Sequence, residues 1–196
     1  MFVSLEGIDG SGKSTQAKLL AEALGSDTLL IREPGGTEAA ERIRELLADP
    51  ALELDPFAEL LLFLAARADL TARVIRPALD AGRDVVADRF ADSSVAYQGA
   101  GRGLGVGETI SLSDNASDGL WPDVTILLRV DPETGLGRAD GSDRFESEGL
   151  ELQRAVAAAY DEIAKIASDR VVPVDATGSV EEVHARVLAA VQGQVQ

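Results

Sequence analysis

Residues 3–24 read VSLEGIDGSGKSTQAKLLAEAL: a strand-forming run, a glycine turn, a lysine, then a helical pattern. Gly7, Gly12, Lys13 and Ser14 satisfy the spacing G-x-x-x-x-G-K-[ST], and a strand before and a helix after are the context in which that spacing cradles phosphate. The loop Gly7, Ile8, Asp9, Gly10, Ser11, Gly12 and the helix start at Lys13, Ser14 and Thr15 are therefore expected to bind a nucleoside triphosphate. Backbone N–H groups would surround the β-phosphate oxygens, Lys13 would reach the β/γ bridge, and the Ser14 hydroxyl would join a magnesium ion. A chance glycine turn is the alternative, and the agreement of both flanks argues against it.

Outward from this stretch the chain alternates strand and helix. FVSLEG, TLLIRE, DVVADR, VTILLRV and RVVPVD are short and rich in Val, Ile and Leu, the pattern of strands buried on both faces. Helical patterns separate them: STQAKLLAEAL, TEAAERIRELL, a long run from Pro56 to Ala81, LELQRAVAAAYDEIAKIA and SVEEVHARVLAAV. Asp55 before Pro56, and Ser179 with Glu182, read as helix starts. The expected fold class is α/β: a P-loop NTPase with a five-stranded parallel sheet flanked by helices on both faces, forming one domain over 1–196. Two glycine-rich stretches, Gly99 to Gly107 and Gly135 to Gly149, read as loops that move or approach a ligand closely.

Composition narrows the function. A formal charge of −16 argues against a nucleic-acid or anionic-membrane surface, which would need clustered Lys and Arg. No apolar run reaches the length of a membrane span and the N-terminus lacks signal-peptide features, so a cytoplasmic location is expected. Cysteine is absent and there is one histidine, which leaves no disulfide and no histidine-built metal site. His184 reads as a solvated surface residue and Trp121 as a packing anchor.

The second half of a phosphate site must come from other strand ends, because ligands of doubly wound sheets sit beyond the carboxyl ends of the strands. Arg32 and Glu33 follow the second strand, Asp88 and Arg89 the third. A structural ion pair is the alternative for Asp88 and Arg89; their place beside the phosphate loop favours a ligand role. Phe63 and Arg67, four apart on one helix, offer an aromatic plate beside a planar fork that could grip a nucleobase. Taken alone, a core Phe with a snorkelling Arg explains them as well.

The ordered set EGIDGSGKST, REPGGT, LLFLAAR, DRFADSSVAYQG, GLWPDVTILLRVDPE, DRFE and VDATGSVEEV resembles the thymidylate kinases over nearly the whole length. The resemblance implies transfer of the γ-phosphoryl group of ATP to dTMP, with magnesium, by a homodimer. Arg89 is then expected to hold the dTMP phosphate and Asp88, with Ser14, to organise magnesium. Asp9 would orient the acceptor and its 3′-hydroxyl, with Glu33 and Pro34 nearby. Phe63 would stack on thymine, Arg67 would donate to a thymine carbonyl, Ser94 and Gln98 would add polar contacts, and Tyr97 would exclude a 2′-hydroxyl. Ala176 and Thr177 would support the adenine, and helix residues Leu60 to Leu64 with the segment after Asp88 would build the dimer face. Where the family usually has Tyr after Asp-Arg, this chain has Phe90.

Thymidylate kinases carry an arginine either inside the phosphate loop or in a lid; Gly10 and Ser11 leave this loop without one, so the resemblance implies that a flexible lid at about 135–149 supplies the charge through Arg138 and Arg144. Arg138, in the glycine-flanked part, is the expected transition-state group, and Arg144 has an anchoring role as its alternative. Two rival readings are a kinase for another monophosphate and a P-loop regulator that signals through a partner. The arginines at 67 and 89 count against the regulator.

Overall fold

The computed structural model describes residues 1–138 and 149–194. Every residue of β1 (Phe2–Glu6) is buried, because the strand lies at the centre of a sheet covered on both faces. Val3 and Leu5 join one apolar cluster, and Phe2, pointing the opposite way, joins another. The sheet has five parallel strands in the order β2-β3-β1-β4-β5, with β2 at Leu29–Arg32, β3 at Val85–Asp88, β4 at Val124–Arg129 and β5 at Val171–Asp175. Leu5 is in register with Asp88 of β3 and with Ile126 of β4. The ends of β1, β2 and β3 therefore finish level, and three successive functional loops leave one edge of the sheet together.

On the Val3/Leu5 face, α1 (Lys13–Leu24) lies beside the last helix, Val180–Gln194, through Leu20, Val183 and Val187. On the other face Val156, Tyr160 and Ile163 of Gly149–Ile166 pack over Leu127 and Val171. The remaining helices are α2 (Glu38–Ala48), α3 (Pro56–Leu70), α4 (Arg76–Asp80), α5 (Ala91–Ser94), α6 (Val106–Ala116) and α7 (Pro132–Arg138), which makes Gly149–Ile166 α8 and Val180–Gln194 α9. Helix starts follow local chemistry. Asp55 accepts from the N–H groups of Phe57 and Ala58, and Ser179 and Glu182 form a reciprocal capping box.

The long helix expected over Pro56 to Ala81 is interrupted by a π-helical turn at Thr71–Ile75. Pro77 explains it: a proline has no N–H to donate and its ring crowds the carbonyl four residues earlier, so the turn ahead of it widens.

Three sequence expectations need correction. Residues 95–101 are helical, in a second π-type segment, and α6 follows from Val106, so the stretch from Gly99 to Gly107 is mostly not loop. Its glycines serve packing: a Cβ on Gly101 would stand 2.9 Å from Leu152 and one on Gly99 3.0 Å from Thr109. The start of the glycine-rich lid is also helical, since Gly135 lies within α7; residues 139–148 lie outside the described residues. His184 is half-buried with its Nδ1 enclosed, because its neighbour Val183 turns that side of α9 toward the sheet.

Candidate active site

The phosphate loop joins the end of β1 to α1. Gly12 adopts a left-handed backbone (φ 91°) immediately before the helix, a conformation that costs a side-chain-bearing residue. Lys13 is buried and folds back over the loop, donating to the Ile8 carbonyl at 2.7 Å and to Ser11 Oγ at 3.3 Å. Burial, reinforced by the charge of Arg89, pushes its pKa down to about 8. The loop is also pressed by its neighbour. A Cβ on Gly10 would overlap the Gly135 carbonyl, and one on Gly135 would stand 2.6 Å from the Asp9 carbonyl, so two glycines seat α7 directly on the phosphate loop.

At the end of β3, Arg89 is a non-glycine residue with a left-handed backbone (φ 72°). Its N–H donates to the Leu5 carbonyl at 3.1 Å, which sets the guanidinium over the loop that follows β1. There it pairs with Asp9 in a short contact and donates to the Gly7 carbonyl at 3.2 Å, to Ser93 Oγ at 3.1 Å and to the Tyr97 hydroxyl at 3.4 Å. Its cation also lies 5.1 Å from the centre of the Tyr97 ring. Burial alone would raise the pKa of Asp9, but the charges of Arg89 and Lys13 outweigh it and hold the carboxyl below its usual value. Burial, partly offset by Arg89, raises that of Tyr97. The second oxygen of Asp9 accepts from Gln153 of α8 at 2.7 Å, and the Asp9 N–H donates to the same amide at 3.2 Å.

A third group lies between α3 and the residues after β3. Arg67, 1% exposed, donates to Glu33 at 2.9 Å, to Ser94 Oγ at 3.0 Å, to the Phe90 carbonyl at 3.2 Å and to Ser113 Oγ at 3.4 Å. Burial raises the pKa of Glu33 while Arg67 opposes that rise. Gln98 donates to the buried Glu59 at 2.9 Å. The Glu33–Pro34 peptide is cis. These groups and the phosphate loop enclose a cavity of about 990 Å³ that also reaches Phe63, Asp88, Arg138 and Ala176.

The model of the thymidylate kinase family matches residues 5–187. The chain belongs to the thymidylate kinase family. A thymidylate kinase of Halothermothrix orenii is 44% identical over 202 residues, covering 98% of this chain and 97% of that protein. One of a Synechococcus species is 46% identical over 197 residues, covering 98% and 94%. The crystal structure of thymidylate kinase from Ehrlichia chaffeensis superposes with a TM-score of 0.83 at 34% identity, covering 98% of both chains.

Within this thymidylate kinase scaffold, most residues singled out in the sequence line this cavity: Asp9, Gly10, Ser11, Gly12, Lys13, Ser14 and Thr15 of the loop and helix start, and Glu33, Pro34, Phe63, Arg67, Asp88, Arg89, Ser94, Tyr97, Gln98, Arg138 and Ala176 around it. Gly7, Ile8 and Thr177 instead border a smaller cavity of about 340 Å³. Thr177 is turned away because its N–H and hydroxyl bond back to Asp175. Arg144 lies outside the described residues. Arg67 is in place, yet four of its five N–H donors go to protein groups rather than open space. The Phe90 ring is fully buried, edge-on to Phe2 at 5.0 Å and 5.3 Å from the Arg67 guanidinium, and Phe90 also borders the cavity, so the position where the family usually has Tyr belongs to the cavity wall. Sequence reasoning missed Gln153, Glu6, Ser93 and Tyr160. Each is an ordinary residue of a strand or helix pattern that meets at least one partner far away in the chain, and only the Gly135 stretch carries a signal, one that reads as a loop.

The contact between Gly10 and Gly135 generates a prediction. Gly135→Ala must displace either α7 or the phosphate loop, and misplacement of about 1 Å at a phosphoryl-transfer site costs roughly 10- to 100-fold in turnover. Steady-state assay of the variant should give a loss in that range with a melting temperature close to that of the parent. Parental turnover would mean that the loop is not held from this side.

Proposed function

We infer that this chain transfers the γ-phosphoryl group of ATP to dTMP, giving ADP and dTDP for dTTP synthesis. Membership of the family supports the activity, and one observation supports the site: the buried Lys13 and the half-buried Arg89, cations from different strand ends, face one cavity with Asp9 between them. In this reading ATP lies along the loop from Gly7 to Thr15, with the adenine toward Ala176 and Thr177, while dTMP occupies the side formed by Glu33, Pro34, Phe63, Arg67, Arg89, Ser94, Tyr97 and Gln98.

Ser14 and Asp88 would hold magnesium. Both line the cavity, and a hydroxyl with a single carboxylate suits a hard cation that takes its remaining oxygens from phosphates and water. When bound, the ion supplies charge neutralisation on the phosphate oxygens. The protein does the rest by positioning. Lys13 draws charge toward the migrating phosphoryl group, Arg89 holds the acceptor phosphate, and Asp9 orients both Arg89 and the acceptor. The attacking oxygen of dTMP is already anionic near neutral pH, so no strong general base is needed. Arg138, exposed at the end of α7 and on the cavity wall, is one cation of the proposed lid, and Arg144 is the other.

The chain acts as one domain over 1–196 in the cytoplasm, with no nucleic-acid partner. Among the described residues no helix is long and apolar enough to cross a membrane. A homodimer is the proposed assembly. Within the Leu60 to Leu64 stretch Leu60 and Leu64 are buried and Leu61 is exposed, and the residues after Asp88 are largely buried, so Leu61 would carry the dimer face together with the exposed Phe57 of α3 and Val106 and Ile110 of α6.

The deciding test is ADP release with ATP and a panel of nucleoside monophosphates. Fast turnover with dTMP and little with ribose or purine acceptors is expected, whereas slow hydrolysis indifferent to the acceptor would sink the reading. Lys13→Ala should lower kcat by about three orders of magnitude in a protein that still folds, because charge is removed from the reacting group. Arg89→Ala should weaken dTMP binding while leaving ATP binding near the parental value; calorimetric titration of both ligands separates the two sides.

A further inference from the structure

Glu6 closes β1, is fully buried, and faces Arg89 from beneath the cavity. Its Oε1 accepts from the Phe90 N–H at 2.7 Å. Its Oε2 accepts from the Ser93 hydroxyl at 2.6 Å and the Tyr160 hydroxyl at 2.8 Å. The first bond pins the peptide that directly follows the left-handed Arg89, where backbone strain must be held by its surroundings. The second commits the only proton of Ser93 to Glu6, which leaves the Ser93 oxygen to accept from Arg89 Nη1 at 3.1 Å. A buried carboxylate thus grips both the backbone and the side chain of the arginine without touching the cavity itself.

We propose that Glu6 is a positioning residue for the acceptor phosphate: its carboxylate fixes Arg89 through the Phe90 N–H and the Ser93 hydroxyl and so sets affinity for dTMP. The inference rests on reading Arg89 as the acceptor-phosphate residue. The glutamate is costly to keep ionised. Burial first, then the charge of Asp92, pushes its pKa up to about 7, against the pull of Ser93, Arg89 and the Phe90 N–H. The charged and titratable groups around it are Arg89, Asp92 of α5, Lys13 of α1, Tyr160 of α8 and Arg170 ahead of β5. With a folded pKa above the ordinary value of 4.5, a protonated Glu6 favours the fold, and that contribution is lost as pH rises through about 7. The grip on Arg89 needs the opposite, an ionised carboxylate.

Glu6→Gln separates the two demands. The amide oxygen can still accept from Phe90, but the NH₂ group must donate to Ser93 or Tyr160, whose hydroxyls stand 3.0 Å apart, so the displaced hydroxyl proton is either shared between them or turned toward the guanidinium, and the Ser93–Arg89 bond is disturbed. On the full chain, the expected result is a KM for dTMP raised about tenfold, the worth of one charge-assisted hydrogen bond, with the Kd for ATP unchanged. Unfolding free energy above neutral pH should equal or exceed that of the parent. The parental KM for dTMP should worsen as pH falls through about 7 more steeply than that of the variant; ionisation of the dTMP phosphate acts on both proteins alike. Ser93→Ala, which leaves the Phe90 bond intact, should shift KM in the same direction, and it decides the matter alone if Glu6→Gln does not fold. Parental KM and an unaltered pH profile in the variants would overturn the proposal. So would a Glu6→Gln protein that loses stability and binds both nucleotides less well, the outcome for a merely structural group. Arg89→Ala in the same series distinguishes the premise: if it keeps the parental KM, the acceptor reading fails and the inference with it. If it loses dTMP while Glu6→Gln and Ser93→Ala do not, the inference alone falls.

Discussion

The site depends on where Arg89 stands. Its guanidinium joins four groups that no single element could bring together: the Gly7 carbonyl and Asp9 of the phosphate loop, and Ser93 and Tyr97 of the helical segment after β3. The strand register makes this possible, since β1 and β3 end level and the Arg89 N–H bonds the Leu5 carbonyl. Asp9 then passes the constraint on, because Gln153 grips both its backbone and its carboxylate and so ties α8 to the loop. An arginine in a left-handed conformation is tolerated because every neighbour holds it there.

How much of this was legible depends on the distance over which the physics acts. The strands and the phosphate loop are local: apolar runs, a glycine at a left-handed position and the helix that follows can all be read from adjacent residues. Helix α6 was invisible for the converse reason. Its sequence VGETISLSDNA is rich in residues that favour turns, and the helix is held by burying Thr109 and Ser113 completely against its neighbours. The glycines at 99 and 101 misled in the same way, since their value is close packing against Thr109 and Leu152, which no local pattern reveals. In the site, residue types already suited to phosphate or base chemistry were found. Glu6 and Gln153 were not, because a Glu ending a strand and a Gln within a helix acquire meaning only from partners 84 to 154 residues away.

Arg67 shows the limit of reading chemistry from residue type. Its spacing from Phe63 invites a base contact, and both side chains do reach the cavity. Yet its buried fork closes onto Glu33, Ser94 and the Phe90 carbonyl, tying β2, α3 and α5 around the proposed acceptor side. Leaving Glu33 without that cation would strand a buried carboxylate, so Arg67 is bound to its structural duty whatever it does for a ligand.

Lys13 and Arg89, two of the cations that line the cavity, are prepared in different ways. The chain as a whole carries −16, while the cavity wall gathers Lys13, Arg67, Arg89 and Arg138, so a triphosphate is attracted to the cavity against the net charge of the chain. Lys13 donates to two neutral oxygens, and burial already opposes its charge; an arriving phosphate can take its proton donors without breaking an ion pair, and relieves the cost of holding the charge. Arg89 is bound to Asp9 beforehand, so a phosphate on that side must share the arginine with a carboxylate. Anion repulsion from Asp9 then falls on whatever sits poorly, and because four of the five guanidinium N–H groups already donate within the protein, a phosphate is held only where it shares or displaces those bonds. In the proposed reading the donor side therefore gains affinity from an unspent charge and the acceptor side gains alignment from a spent one, which is the division of labour that transfer between two anions requires.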